Sequence, residues 1–210
     1  MLKRSVVIRA NRLKKINIRL DYKTIVFFTV LLCGVIFGVM LTNSGSEAWH
    51  QFIGSFLNNH LTIKSTSSVF RSFCSVFFSF FILLLFDYAC GLCGIGVPFL
   101  YLTPLFLGIY CGIITSQLYC SYQLTGLLYC AVVNVPCYAI TAATLIKCCC
   151  FSSDISREIF IYLVNGKNDT KEKLLQGYTI RYLIMCIPLI ISALINAVTF
   201  RLLKDLFNLV

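Results

Sequence analysis

Long apolar stretches alternate with short polar ones along this chain, and their lengths carry the first inference. Nearly uncharged apolar runs cover residues 24–41, 69–86, 98–119, 124–146 and 180–200. At a rise of about 1.5 Å per residue, each is long enough as a helix to cross a hydrocarbon layer of about 30 Å. The runs are apolar on every side and lack the alternation of barrel strands, so helices satisfy their backbone groups. The pattern predicts an all-α fold: a polytopic transmembrane helix bundle of about five spanning helices over 24–200. A basic segment (1–23) precedes it and a short tail (201–210) follows.

Small residues and prolines mark packing sites within the runs. Gly34 and Gly38 form one small-xxx-small pair, and Gly108 and Gly112 form a second, extended by Ser116; such pairs let helix backbones approach closely. The stretch 87–98 reads DYACGLCGIGVP, where Gly94, Gly96 and Pro98 predict a tight reversal or a re-entrant turn. A four-residue loop, 120–123, joins the third and fourth runs. Pro104 predicts a kink in the third run. Pro136 predicts one in the fourth, where Asn134 can bond the freed backbone or reach across helices, as can Asn196 in the fifth. Asp87 stands where the second run ends and reads as an interfacial acid. Ahead of the first run, Val6, Ala10, Leu13, Ile16 and Leu20 follow helical spacing with Arg12, Lys15 and Arg19 on another face. That is an interfacial amphipathic helix or a disordered basic tail. Within 147–179, Ile155, Ile159 and Leu163 predict a helical piece capped by Asp154 and broken over 166–169.

Composition sharpens the membrane reading. Apolar residues make up 59% of the chain and charged ones 12%, about half the share of a soluble domain. The net charge of +10 would suit nucleic acid, but eight of the eighteen Lys and Arg fall before Thr24. A basic cluster beside a span is an orientation signal and an anchor on anionic lipid, so lipid is the expected partner and nucleic acid is not. Segments 1–23, 87–97 and 147–179 together hold most of the Lys and Arg, which puts the N-terminus inside. No A-x-A site follows the first run, so it reads as an uncleaved anchor.

Residues that carry chemistry are sparse. The spans hold no His or Glu, and no H-E-x-x-H, phosphate-loop or G-x-S-x-G pattern occurs. The expectation is a chain that is not an enzyme, with no catalytic residue, cofactor or metal. Six of the twelve cysteines, Cys33, Cys74, Cys111, Cys130, Cys137 and Cys186, lie inside apolar runs as small packing residues. Cys90 and Cys93 with Cys148, Cys149 and Cys150 form the one thiolate set that two inner segments bring to the same face, but three adjacent cysteines chelate poorly. His50 and His60 have only Glu47 near them, and Trp49 reads as an interface anchor. A transporter or channel subunit is the alternative, with Asn134, Asn196, Gln117 and Ser116 as thin material for a polar path.

The layout resembles the stage II sporulation protein M family, small polytopic membrane proteins of endospore formers. The likeness runs through Gly34-Val-Ile-Phe-Gly38, the turn Gly94-Ile-Gly-Val-Pro98, Gly108 and Gly112, Leu124-Thr-Gly126, Pro136, Phe151-Ser152, and the approach to the last span through Tyr178 and Tyr182. Cys137-Tyr138 stands where the family tends to have Gln-Asn, and Asn196-Ala197 where it tends to have Glu-Ala. The resemblance implies a non-enzymatic scaffold of the cell membrane that organises peptidoglycan hydrolases, one transglycosylase-like and one amidase-like, at the septum during forespore engulfment.

Overall fold

The structure is a computed structural model that describes residues 22–44, 55, 69–165 and 171–207. The amphipathic reading of the N-terminal segment falls almost wholly outside the described residues. So do Trp49, both histidines and the break at 166–169.

Among the described residues the chain is helical and contains no strand. Helix α1 spans Tyr22–Asn43, α2 Val69–Leu92, α3 Leu102–Tyr129, α4 Val135–Asn165 and α5 Lys171–Phe207. A 3-10 turn, Phe99–Tyr101, leads into α3, and a π-helical turn, Cys130–Asn134, joins α3 to α4. Four helical stretches are long and apolar enough to cross a membrane: Tyr22–Asn43, Val69–Leu92, Phe99–Ile161 and Leu175–Leu202.

The third stretch is 63 residues long, three times what a bilayer core requires. It is not straight. Gln123 has φ 50° and ψ −129°, which breaks the helix. Thr115 Oγ1 and Cys130 Sγ then lie 3.2 Å apart. In a straight helix fifteen residues would separate them by about 22 Å. The chain therefore folds back at Gln123, the last residue of the loop expected at 120–123.

The helices outrun the apolar stretches that announced them. The second was expected to end at 86, but α2 continues through Asp87 to Leu92. The segment 147–179 was expected to be largely polar, with a short helix capped by Asp154. Instead α4 runs unbroken from Val135 to Asn165, with Asp154 in its interior. The reason lies on one face of α4. Ser152, Ile155 and Ser156 are buried there, small enough to sit against α2 and α5.

Helices α1 and α3 run parallel and meet along glycine. A Cβ on Gly34 would lie 2.5 Å from the Leu105 carbonyl oxygen and 3.2 Å from the Gly108 Cα. One on Gly112 would lie 3.2 Å from the Gly38 Cα. The two small-xxx-small pairs thus pack on each other, backbone to backbone, and neither is presented outward. The turn after α2 has its own glycine requirement. Gly96 N–H donates to the Cys93 carbonyl at 3.0 Å, and a Cβ there would lie 2.7 Å from the Cys90 carbonyl carbon. Pro98, with φ −65°, starts the 3-10 turn, and Gly94 sits half-buried in the bend between them. The main core cluster joins α2, α3, α4 and α5 through Phe80, Leu84, Leu107, Leu145, Tyr182 and Leu189. Many large apolar side chains face outward, among them Ile36, Phe70, Phe78, Ile82, Leu183 and Ile187.

Candidate functional site around Asp87

One end of the bundle gathers the start of α1, the end of α2, the 3-10 turn, the latter half of α4 and the start of α5. Lys23 forms an ion pair there with Asp154, and Thr24 Oγ1 lies 3.6 Å from Cys150 Sγ. Asp87 lies deeper and is fully buried. The helix continues past it, so the acid is not at the helix end expected from sequence, and its side chain is inside the helix packing. Its two oxygens each accept one bond. Thr103 Oγ1 donates to Oδ1 at 2.6 Å, and the Cys149 thiol donates to Oδ2 at 3.3 Å. Cys149 also lies 3.6 Å from the Leu100 carbonyl. A buried carboxyl with both oxygens engaged meets the condition under which polar burial is tolerated.

A second layer of hydroxyls and rings closes over this pair. Ser152 Oγ bonds the Tyr178 hydroxyl at 3.1 Å and makes a short contact with that of Tyr182. Tyr178 donates to the Tyr88 carbonyl at 3.1 Å, and Ser156 donates to the Cys93 carbonyl at 2.6 Å. The rings of Tyr88 and Tyr178 stack at 5.0 Å, and Tyr182 meets Tyr178 edge-on at 4.8 Å. Gly91 makes room for this layer, because a Cβ there would lie 2.9 Å from the Tyr178 ring. The result ties α2, α4 and α5 together at one level.

The three adjacent cysteines do not converge. Successive helix residues point about 100° apart, so Cys148 enters the main core, Cys149 meets Asp87 and Cys150 turns to α1. None of the twelve cysteines forms a disulfide, and among the described residues no three of His, Cys, Asp and Glu come together as a metal site.

Further along the bundle the two asparagines meet. Asn196 Nδ2 lies 3.5 Å from Asn134 Oδ1 across α5 and the π turn. The turn exists because Pro136, itself exposed, has no N–H to give its helix; the chain answers with a wider loop in which Val135 N–H reaches the Cys130 carbonyl. Beside it Ser192 donates to the Cys137 carbonyl at 2.9 Å and bonds Thr141 Oγ1 at 2.9 Å. Of the buried side-chain polar atoms among the described residues, only Ser72 Oγ and Gln117 Oε1 have no partner. Sequence spacing gave no sign of Thr103, Cys149, Ser152 and Tyr182 as partners, because they stand far from Asp87 along the chain.

No family model matches this chain, and neither a curated protein nor a solved structure matches it.

Proposed function

We propose that this protein is a non-enzymatic scaffold of the cell membrane with five membrane passes and its N-terminus inside. The fifth pass comes from counting the two arms on either side of Gln123 separately. The orientation comes from the basic N-terminal segment, which adjoins the end of the bundle where Lys23 pairs with Asp154. One observation carries the scaffold reading: the interior polar groups among the described residues, Ser72 Oγ and Gln117 Oε1 apart, are used within the protein. Asp87 is taken by Thr103 and Cys149, Asn134 by Asn196, and Ser192 by Thr141 and Cys137. The outer surface is apolar, so the molecule offers structure more than chemistry.

The choice of partners follows from the resemblance to the stage II sporulation protein M family: peptidoglycan hydrolases at the engulfment septum. They meet outer faces or flanking segments, since both glycine faces are closed on each other. The test is affinity purification of the full chain in mild detergent from sporulating cells, with lytic activity on peptidoglycan measured in the eluate. Enrichment over an unrelated multi-pass protein is expected, and an eluate with no more activity than that control removes the partner assignment.

A small transporter or channel subunit is the second reading, and the buried carboxyl of Asp87 favours it, because an acid inside a span commonly marks an ion path. Solute flux into liposomes holding only this protein would replace the scaffold reading with that one.

A further inference from the structure

Outside the Asp87 network, a groove of about 560 Å³ opens between α4 and α5. Phe151 and Ile161 of α4 and Gly177 and Tyr178 of α5 are among the residues that line it. Arg157 and Arg181 both line it. The charges facing it do not cancel. Asp154 is taken by Lys23, which leaves Glu158 as the one carboxylate against two guanidinium groups. Neither arginine has an ion-pair partner among the described residues. The guanidinium carbon of Arg181 lies 4.5 Å from the centre of the Phe151 ring, a cation–π contact that uses none of its N–H groups in an ion pair. Arginine edges match phosphate oxygens two at a time.

The height of the groove matters as much as its charge. Arg157 stands three residues past Asp154, about 4.5 Å further along the helix axis. It is therefore near the level of the Lys23–Asp154 pair, where α1 begins. The exposed Ile184 stands on α5 one turn past Ile180, on the side of the arginines toward the middle of the bundle; Phe160 and Ile161 of α4 lie on the other side, because the two helices run antiparallel. Two cations at the rim of a bundle, with apolar surface running away from them, complement a molecule with a phosphate head and hydrocarbon tails.

We propose that this groove binds the headgroup of an anionic phospholipid. Arg157 and Arg181 hold the phosphodiester oxygens, Glu158 accepts from a headgroup hydroxyl, and an acyl chain follows Ile180 and Ile184. The proposal needs only that the helices lie in a bilayer, so it stands or falls apart from the scaffold reading.

The test uses the full chain in a neutral detergent, with phosphatidylglycerol, phosphatidylcholine or inorganic phosphate added. Binding is read by native mass spectrometry and by the thermal unfolding midpoint. Phosphatidylglycerol is expected to be retained and to raise the midpoint, while the other two leave it unmoved. The double variant Arg157→Ala/Arg181→Ala should bind phosphatidylglycerol at least tenfold more weakly, and Lys147→Ala, a charge outside the groove, should bind as the wild type does. Gly177→Leu gives an arm independent of charge. A Cβ at Gly177 meets no atom within 4 Å, so the substitution fills the groove without displacing the fold; it should weaken phosphatidylglycerol binding as the double variant does. Wild-type retention in Gly177→Leu and in the double variant overturns the site. Equal retention of phosphatidylcholine overturns the charge argument, and protection by inorganic phosphate alone makes it a site for a free anion instead of a lipid.

Discussion

Replacing Gly108 with leucine tests one of the closest backbone contacts between helices among the described residues. The glycine faces α1 with nothing between the backbones: a Cβ added to it would stand 2.9 Å from the Val35 nitrogen and 3.0 Å from the Gly34 Cα. Ordinary carbon contacts lie at about 3.5–4.0 Å. Even alanine therefore forces α1 and α3 apart by about 0.5–1 Å, because the atoms it meets are backbone and cannot rotate away. A radial gap of that size forfeits a quarter to a half of each dispersion contact along the seam. Within lipid no hydrophobic gain offsets the loss, since packing itself drives helix association there. The expected cost is about 1–3 kcal/mol for Gly108→Ala, as for other overpacked cores, and more for Gly108→Leu. The assay is thermal unfolding in micelles, followed by a dye that fluoresces on reaction with thiols. Cys130, Cys137, Cys148 and Cys149 are buried and become reactive as the bundle opens, over the constant signal of exposed thiols such as Cys33. Gly177→Leu is the control, since it meets no neighbour. Gly108→Leu should unfold at clearly lower temperature than that control, and identical midpoints would refute the backbone-contact argument.

Two further outcomes follow from single residues. Asp87→Ala leaves the Thr103 hydroxyl without its acceptor in a buried place, while the Cys149 thiol keeps the Leu100 carbonyl; an unsatisfied buried donor costs about 1–3 kcal/mol, and a loss of that size is expected in the same assay. A loss no larger than for an outward-facing variant such as Ile82→Ala would contradict the network. Gln123→Gly should stabilise by about 1 kcal/mol, because Gln123 holds a positive φ that glycine adopts without strain, and the relief exceeds the added chain entropy. An unchanged or lowered midpoint would show that the reversal at 123 is not strained.

The helices were legible because an apolar run of about twenty residues has few other places to go. The fold-back near residue 123 was legible as a short polar gap, although Gln123 itself carries no turn signal. What spacing could not encode was pairing. Gly34/Gly38 and Gly108/Gly112 each look like a face in search of a partner, and nothing local says that they are each other's. The burial of Asp87 was hidden for a related reason. An acid ends an apolar count, so the run appeared to stop at Phe86. Its donors Thr103 and Cys149 come from other helices, 16 and 62 residues further on. Likewise α4 continues past Lys147 because Ser152 and Ser156 find hydroxyl and carbonyl partners on α5 and in the turn after α2, which a hydropathy count scores only as polarity.

These polar pairs have one property in common that bears on function. The bonds of Asp87 with Cys149, Ser192 with Thr141, Asn196 with Asn134, and Tyr178 with Ser152 each join different helices. In lipid, large apolar side chains choose only weakly between one helix register and the next, since each buries the same surface against the same hydrocarbon; away from the glycine seam of α1 and α3 something else must choose. Directional bonds can choose, because a shift of one turn would strand several polar groups at once. Asp87 and its tyrosine layer fix the register at one end of the bundle, and Asn134 with Asn196 fixes it further along. A water path would need these groups to leave one another in turn. A scaffold needs them to stay, and a bundle locked in register at two levels holds its outer faces in a constant relation for whatever docks on them.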